Sequence, residues 1–192
     1  MKIMALTGVP QNVSELPEWY LLPDSAILKS GNPFFIPEFD KDFRGYPALI
    51  IKLSRLGKSI SPRFAHRYFE EVALGMMLRG EESLSKAKEM GLPWTKAVAF
   101  DRCAFVGEFR PSAEIADSSL WKFSVDEEVI ECQRQYEELH IGEVIANLSE
   151  NNTMKMGDLI MIPLSDTGAR LRIGGRVEVY NGDEKLLEVR IK

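Results

Sequence analysis

Two segments of strand-like hydrophobicity, each followed by a helix-like one, lie between Phe43 and Phe109, and this alternation narrows the folds open to the chain. Ala48-Leu49-Ile50-Ile51-Lys52-Leu53, closed by Arg55-Leu56-Gly57-Lys58, is apolar and β-branched with a charged turn behind it. That pattern predicts a buried strand. Ser61-Pro62 predicts the start of a short helix over 63–70, and Val72 to Leu78 a second buried strand. Glu81 to Glu89 reads as a polar helix ended by Gly91, followed by Pro93-Trp94 and a loop at Phe100-Asp101. Elements in this order can enclose a pocket, yet the two strands carry almost nothing that performs chemistry.

The flanking segments add short strands. Lys2 to Leu6, Trp19 to Leu22, Ile27-Leu28, Phe34 to Ile36 and Leu159 to Ile162 read as strands, and Ile141 to Leu148 has helical spacing. Pro111-Ser112 with Glu114 resembles a helix start. Leu120 to Val125 and Val129 to Cys132 predict one hairpin around Asp126-Glu127-Glu128. Arg176 to Tyr180 and Leu186 to Ile191 predict another around Asn181-Gly182. Many short strands with few helices make a β-rich α+β fold, a single domain over residues 1–192 without repeat or linker.

Composition excludes several functions. A net charge of −5 and a pI near 5.2 oppose nucleic-acid binding. Cys103 and Cys132 fit a reduced, cytoplasmic protein better than a disulfide framework. No apolar run reaches the length of a membrane span, and Met1 to Leu6 is too short for a signal peptide. The two histidines, His66 and His140, and the two cysteines lack zinc-ligand spacing. His66 reads as a helix-capping residue, Cys103 as a small buried hydrophobe, and Glu70-Glu71 and Glu81-Glu82 as solvated helix faces. From the residues alone no active site is announced.

The order and spacing of several motifs nevertheless resemble one family. Pro62-Arg63-Phe64-Ala65-His66-Arg67-Tyr68, the interval to Gly91-Leu92-Pro93-Trp94, and Phe100-Asp101 followed by Gly107 resemble the fumarylacetoacetate hydrolase family. Pro23-Asp24-Ser25-Ala26, Met156-Gly157-Asp158-Leu159-Ile160, Gly174 and the closing hairpin extend the likeness over nearly the whole chain. The resemblance implies a mixed β-sandwich or roll, usually a homodimer. It also implies Mg²⁺ or Mn²⁺ on two strand glutamates and an aspartate, and hydrolase, decarboxylase or isomerase chemistry on oxo and diketo acids. Hard oxygen ligands suit such a cation.

The family's functional residues do not carry over. The two strand glutamates fall on Tyr46 and Ala48, the aspartate on Met77, the lysine on Val98, and the Thr-Gly-Thr-Pro element on Ile162-Pro163-Leu164-Ser165. The lid His/Glu pair has no counterpart in a shortened segment at about 8–17. The expectation is therefore a family member without metal cofactor or parent activity, with a binding, regulatory or assembly role. It would pair with itself or with an active relative, and would bind neither nucleic acid nor membrane. The alternative is an enzyme with relocated groups drawn from His66, Arg79, Glu81, Lys96 and Asp101. The dimer expectation rests also on Trp19, Tyr20, Phe34, Phe35 and Phe39, more aromatic surface near the N-terminus than a small domain easily covers.

Overall fold

The computed structural model describes residues 1–116, 121–132 and 136–192. Its organising pair is β4 (Phe43–Leu53) and β5 (Phe69–Gly80), antiparallel over almost their full length with a register shift at Lys52/Leu53. Residues 45–51 of β4 and 72–78 of β5 are all buried, as uninterrupted apolar runs require of strands covered on both faces. Around them lie β1 (Ile3–Leu6), β2 (Trp19–Leu22), β3 (Ile27–Lys29), β6 (Ala104–Val106) and β10 (Leu159–Pro163). The large sheet runs β2-β1-β10-β4-β5-β6-β3. The short strands β7 (Arg110–Pro111) and β11 (Ala169–Arg170) pair with β5 and β4.

A second sheet, β13-β12-β8-β9, is built from β8 (Trp121–Val125), β9 (Glu128–Cys132), β12 (Arg176–Asn181) and β13 (Glu184–Arg190). Strands β12 and β13 pack across β5 and β6. Helices α1 (Glu81–Glu89) and α2 (Thr95–Val98) cover one end, α3 (Ser112–Ala116) follows β7, and α4 (Ile141–Asn151) packs on the 3₁₀ turn Pro62–Arg67. The result is the strand-rich α+β roll expected.

Local expectations hold with specific corrections. The helix expected over 63–70 is a 3₁₀ turn, Pro62–Arg67, and Phe69 already opens β5. Glu70 and Glu71 are thus strand residues, not a helix face, and Glu71 pairs with Lys52 at 2.6 Å. The strand at 34–36 reduces to a single bridge from Phe34 to Ile191, held by backbone bonds to the chain's last residues instead of to β3. In the last hairpin Asn181 still pairs with Glu184, so the turn residues are Gly182 and Asp183. Gly182 takes a φ of +59°, which a glycine-first hairpin turn demands. Leu120 lies outside the described residues.

Pro47 sits inside β4, where a proline normally breaks a ladder. Here β10 pairs with residues 48–52 and β11 with 44–45, so Pro47 falls where β4 changes partner. Its carbonyl accepts from Leu164 N on that side, and the missing N–H leaves no ladder bond unmade. The connection between β10 and β11, residues 164–168, is thereby laid beside Tyr46.

Candidate functional site: a cleft closed by Tyr46

Strand register decides which side chains share a face. Tyr46 lies opposite Met77 and Ala48 opposite Gly75. The three positions where the resemblance puts carboxylates therefore converge on one patch at the α1 end of the β4–β5 pair. Tyr46, Ala48 and Met77 are all buried there. Gly75 permits the close packing below them, since a Cβ on it would stand 2.1 Å from the Phe105 carbonyl oxygen.

Tyr46 fills the patch. Its hydroxyl donates to Glu81 Oε1 at 2.6 Å, and the Arg79 guanidinium lies 4.4 Å from its ring centroid. Gly168 packs on the other side, where a Cβ would meet the ring at 2.6 Å. Burial, and then the hydrogen bond to Glu81, push the Tyr46 hydroxyl far above its ordinary pKa. It is a neutral donor at any working pH. Two other groups at the cleft carry no strand signal in common with it. Thr7 O accepts from Arg79 at 3.1 Å, and Tyr20 is pushed up to about 12 chiefly by burial, with Arg79 acting against the rise.

Of the relocated groups expected at the cleft, the structure brings together two, Arg79 and Glu81. Lys96 is exposed, with its ammonium 5.7 Å from the Phe39 ring. Asp101 accepts from the Ser25 hydroxyl at 2.6 Å and so ties the Pro23-Asp24-Ser25 turn to the loop after α2. His66 is exposed on the 3₁₀ turn before β5, whereas Arg79 is near that strand's far end. At about 3.3 Å per residue, ten strand residues separate them by roughly 33 Å. Val98 is buried between α1 and Tyr20, and Ser165 belongs to the 164–168 connection, its hydroxyl bonded to Thr167. Cys103 is buried and its thiol is pushed up to about 12 by that burial, as a packed hydrophobe and not a nucleophile.

A divalent cation fits this donor set poorly. Tyr46 offers a hydroxyl already committed to Glu81, and Ala48 and Met77 offer no hard oxygen. The nearby Asp42 is held between Arg44 at 3.2 Å and Arg170 at 3.3 Å. Asp40, buried, accepts from Asp42 N and Ser83 N, capping the first turn of α1 from outside the helix. The sequence offered no sign of Asp40 and marked Tyr20 only as a strand aromatic, because each acts here through a contact made far from it in the chain.

Known proteins share this architecture. No profile of a known protein family matches the sequence. An oxaloacetate tautomerase of Escherichia coli is 23% identical over 171 residues, covering 87% of this chain and 78% of that protein. A 4-hydroxyphenylacetate degradation bifunctional isomerase/decarboxylase of Salmonella dublin is 24% identical over 84% of this chain and 36% of its own length. Fumarylpyruvate hydrolase from Pseudomonas aeruginosa, solved with Mn²⁺ and pyruvate, superposes with a TM-score of 0.83 at 18% identity, covering 100% of this chain and 89% of that one. The chain also has the fold of a putative fumarylacetoacetate hydrolase family protein from Yersinia pestis, with a TM-score of 0.86 at 19% identity, covering 100% of this chain and 92% of that one.

Proposed function

We propose that this chain is a family member that has exchanged metal-dependent catalysis for a binding or assembly role. The observation that carries the reading is the Tyr46–Glu81 hydrogen bond, with Arg79 stacked on the ring, where the resemblance puts carboxylates and a cation. A tyrosine and a guanidinium occupy the volume and the positive charge of the expected site. Lost metal polarisation alone removes several kcal/mol of transition-state stabilisation, which is orders of magnitude in rate.

The test is direct. Purified protein is assayed with acylpyruvates and with oxaloacetate, for hydrolysis, decarboxylation and tautomerisation, with and without millimolar Mg²⁺ or Mn²⁺. The expected outcome is no turnover above background and no specific metal heat by calorimetry. Turnover at roughly 1 s⁻¹ or more, an ordinary enzyme rate, sinks the reading in favour of an enzyme with relocated groups.

A further inference from the structure

Residues 54–69 carry four cations, Arg55, Lys58, Arg63 and Arg67, and no carboxylate, in a chain whose net charge is −5. All four are exposed, and none makes an ion pair among the described residues. The fold gathers them at the end of the β4–β5 pair remote from Tyr46, since Leu53 lies roughly 23 Å along β4 from it at about 3.3 Å per residue. The loop after β4 is pinned there. Ser54 N donates to Tyr68 O at 2.8 Å, Gly57 and Met154 exchange backbone bonds, and Ser59 N donates to Ser149 O at 2.9 Å. Gly57 also sits against the Tyr68 ring, where a Cβ would stand 2.4 Å from Cε1. Loop and 3₁₀ turn therefore form one surface held by backbone bonds. Apolar side chains stand out of it: Leu56 is 71% exposed, Phe64 40%, and Met156, just past the Gly57–Met154 bridge, 78%.

Arg63 and Arg67 lie 5.3 and 4.9 Å from the Phe64 ring centroid. Their guanidinium carbons are thus at most about 10 Å apart, one Debye length at 0.1 M salt. Like charges held that close repel, and cation–π attraction to the ring keeps them in place. An ordinary solvated face intersperses both signs instead. We propose that this surface docks a short acidic segment of a partner protein, anchored by an apolar side chain. The two arginine forks match the segment's carboxylates, Arg55 and Lys58 supply further charge, and Phe64 with Leu56 takes the anchor. Stacking on Phe64 leaves both arginines less freedom to lose on binding. Charge complementarity selects the occupant. The rest of the chain is acidic overall, so nucleic acid or an anionic membrane meets repulsion beyond the patch, whereas a short segment does not. The inference goes beyond the proposed loss of catalysis and does not depend on it.

The test is fluorescence anisotropy of the full chain with a short labelled peptide of glutamates and aspartates around one central leucine. Saturable binding is expected with a dissociation constant below about 100 µM, weakening as salt rises from about 0.05 to 0.5 M. Arg63→Glu with Arg67→Glu should weaken it about tenfold or more. Leu56→Ser should weaken it about threefold while leaving the affinity of an all-acidic peptide unchanged. Thermal melts establish that each variant is folded, and Leu56→Ser decides the matter if the double reversal does not fold. The proposal is overturned by no saturable binding up to about 1 mM peptide, by unchanged affinity in the double reversal, or by equal binding of a peptide with lysines in place of its acids. Tighter binding of an oligothymidylate of equal charge, or of phosphatidylserine vesicles, overturns it in favour of those classes. A light-scattering mass that falls in the double reversal gives the surface to a second copy of the chain instead. Turnover with Mn²⁺ alongside peptide binding would defeat the proposed loss of catalysis and leave this surface standing. No peptide binding and no turnover would do the reverse.

Discussion

Asp158 and Asp40 are carboxylates withdrawn from water and compensated by backbone N–H groups. Asp158 accepts from Lys2 N at 2.8 Å and Lys155 N at 3.0 Å and pairs with the Lys2 ammonium at 2.8 Å, pinning β1 beside β10. Burial raises each pKa, but the hydrogen bonds outweigh it, and both carboxyls titrate below the usual aspartate range. Their stabilisation is therefore complete above the unfolded value, about 3.9, and is lost as pH falls through the folded values. Asp158→Asn should cost roughly 1–3 kcal/mol at neutral pH. Chemical denaturation should show that deficit shrinking as pH falls below about 4. A deficit that stays constant with pH would remove the ionised carboxylate from the account.

At the scale of elements, the β4–β5 pair fixes the cleft through register alone. If Tyr46, Ala48 and Met77 occupy the family's ligand positions, Tyr46→Glu with Ala48→Glu and Met77→Asp recreates a three-carboxylate site on one face. That triple variant should be strongly destabilised without metal, because buried charges are unpaired. Millimolar Mn²⁺ should raise its melting temperature while leaving the natural protein's unchanged, by mass action on the folded state. No Mn²⁺ effect on a folded triple variant would refute the positional match.

For the whole molecule, we propose a homodimer, on a surface that keeps Phe35 alone of the aromatics outlined by the sequence. Phe34 is core, packed edge-on to Phe105 at 5.3 Å, and Phe39 packs edge-on to Phe43 and Phe100. Phe35, at 57% exposure, and Ile173, at 77%, remain outside and flank Ile191, which is bridged by Phe34 on one side and bonded to Gly174 on the other. A two-fold contact covers such a patch on both chains at once. Light scattering at low micromolar concentration should give twice the 21.7 kDa chain mass, and Phe35→Asp with Ile173→Asp should return the monomer still folded. Phe34→Asp should unfold the chain instead. A natural protein of single-chain mass rules the dimer out.

Local chemistry in the sequence was enough for the strands β4, β5 and β10, the helix α1 and the existence of both hairpins, though Asn181 and Glu128, expected in their turns, are strand residues. Their apolar runs, caps and glycine turns act over a few residues. The family resemblance, not local pattern, singled out Tyr46, Ala48, Met77 and Val98, by counting from the matching motifs beside them. The short strand at 34–36 and the 3₁₀ turn before β5 were less legible, since each is set by a partner elsewhere in the chain: Ile191 for one, and α4 with the start of β5 for the other. Only the tertiary structure decided that Glu81 serves Tyr46 and is not a solvated charge. It alone separated Arg79 from His66 and Lys96 as a group at the cleft. Those outcomes depend on strand register and on the crossing of distant segments, and a hydrogen bond between residues 35 positions apart leaves no mark in local hydrophobic pattern.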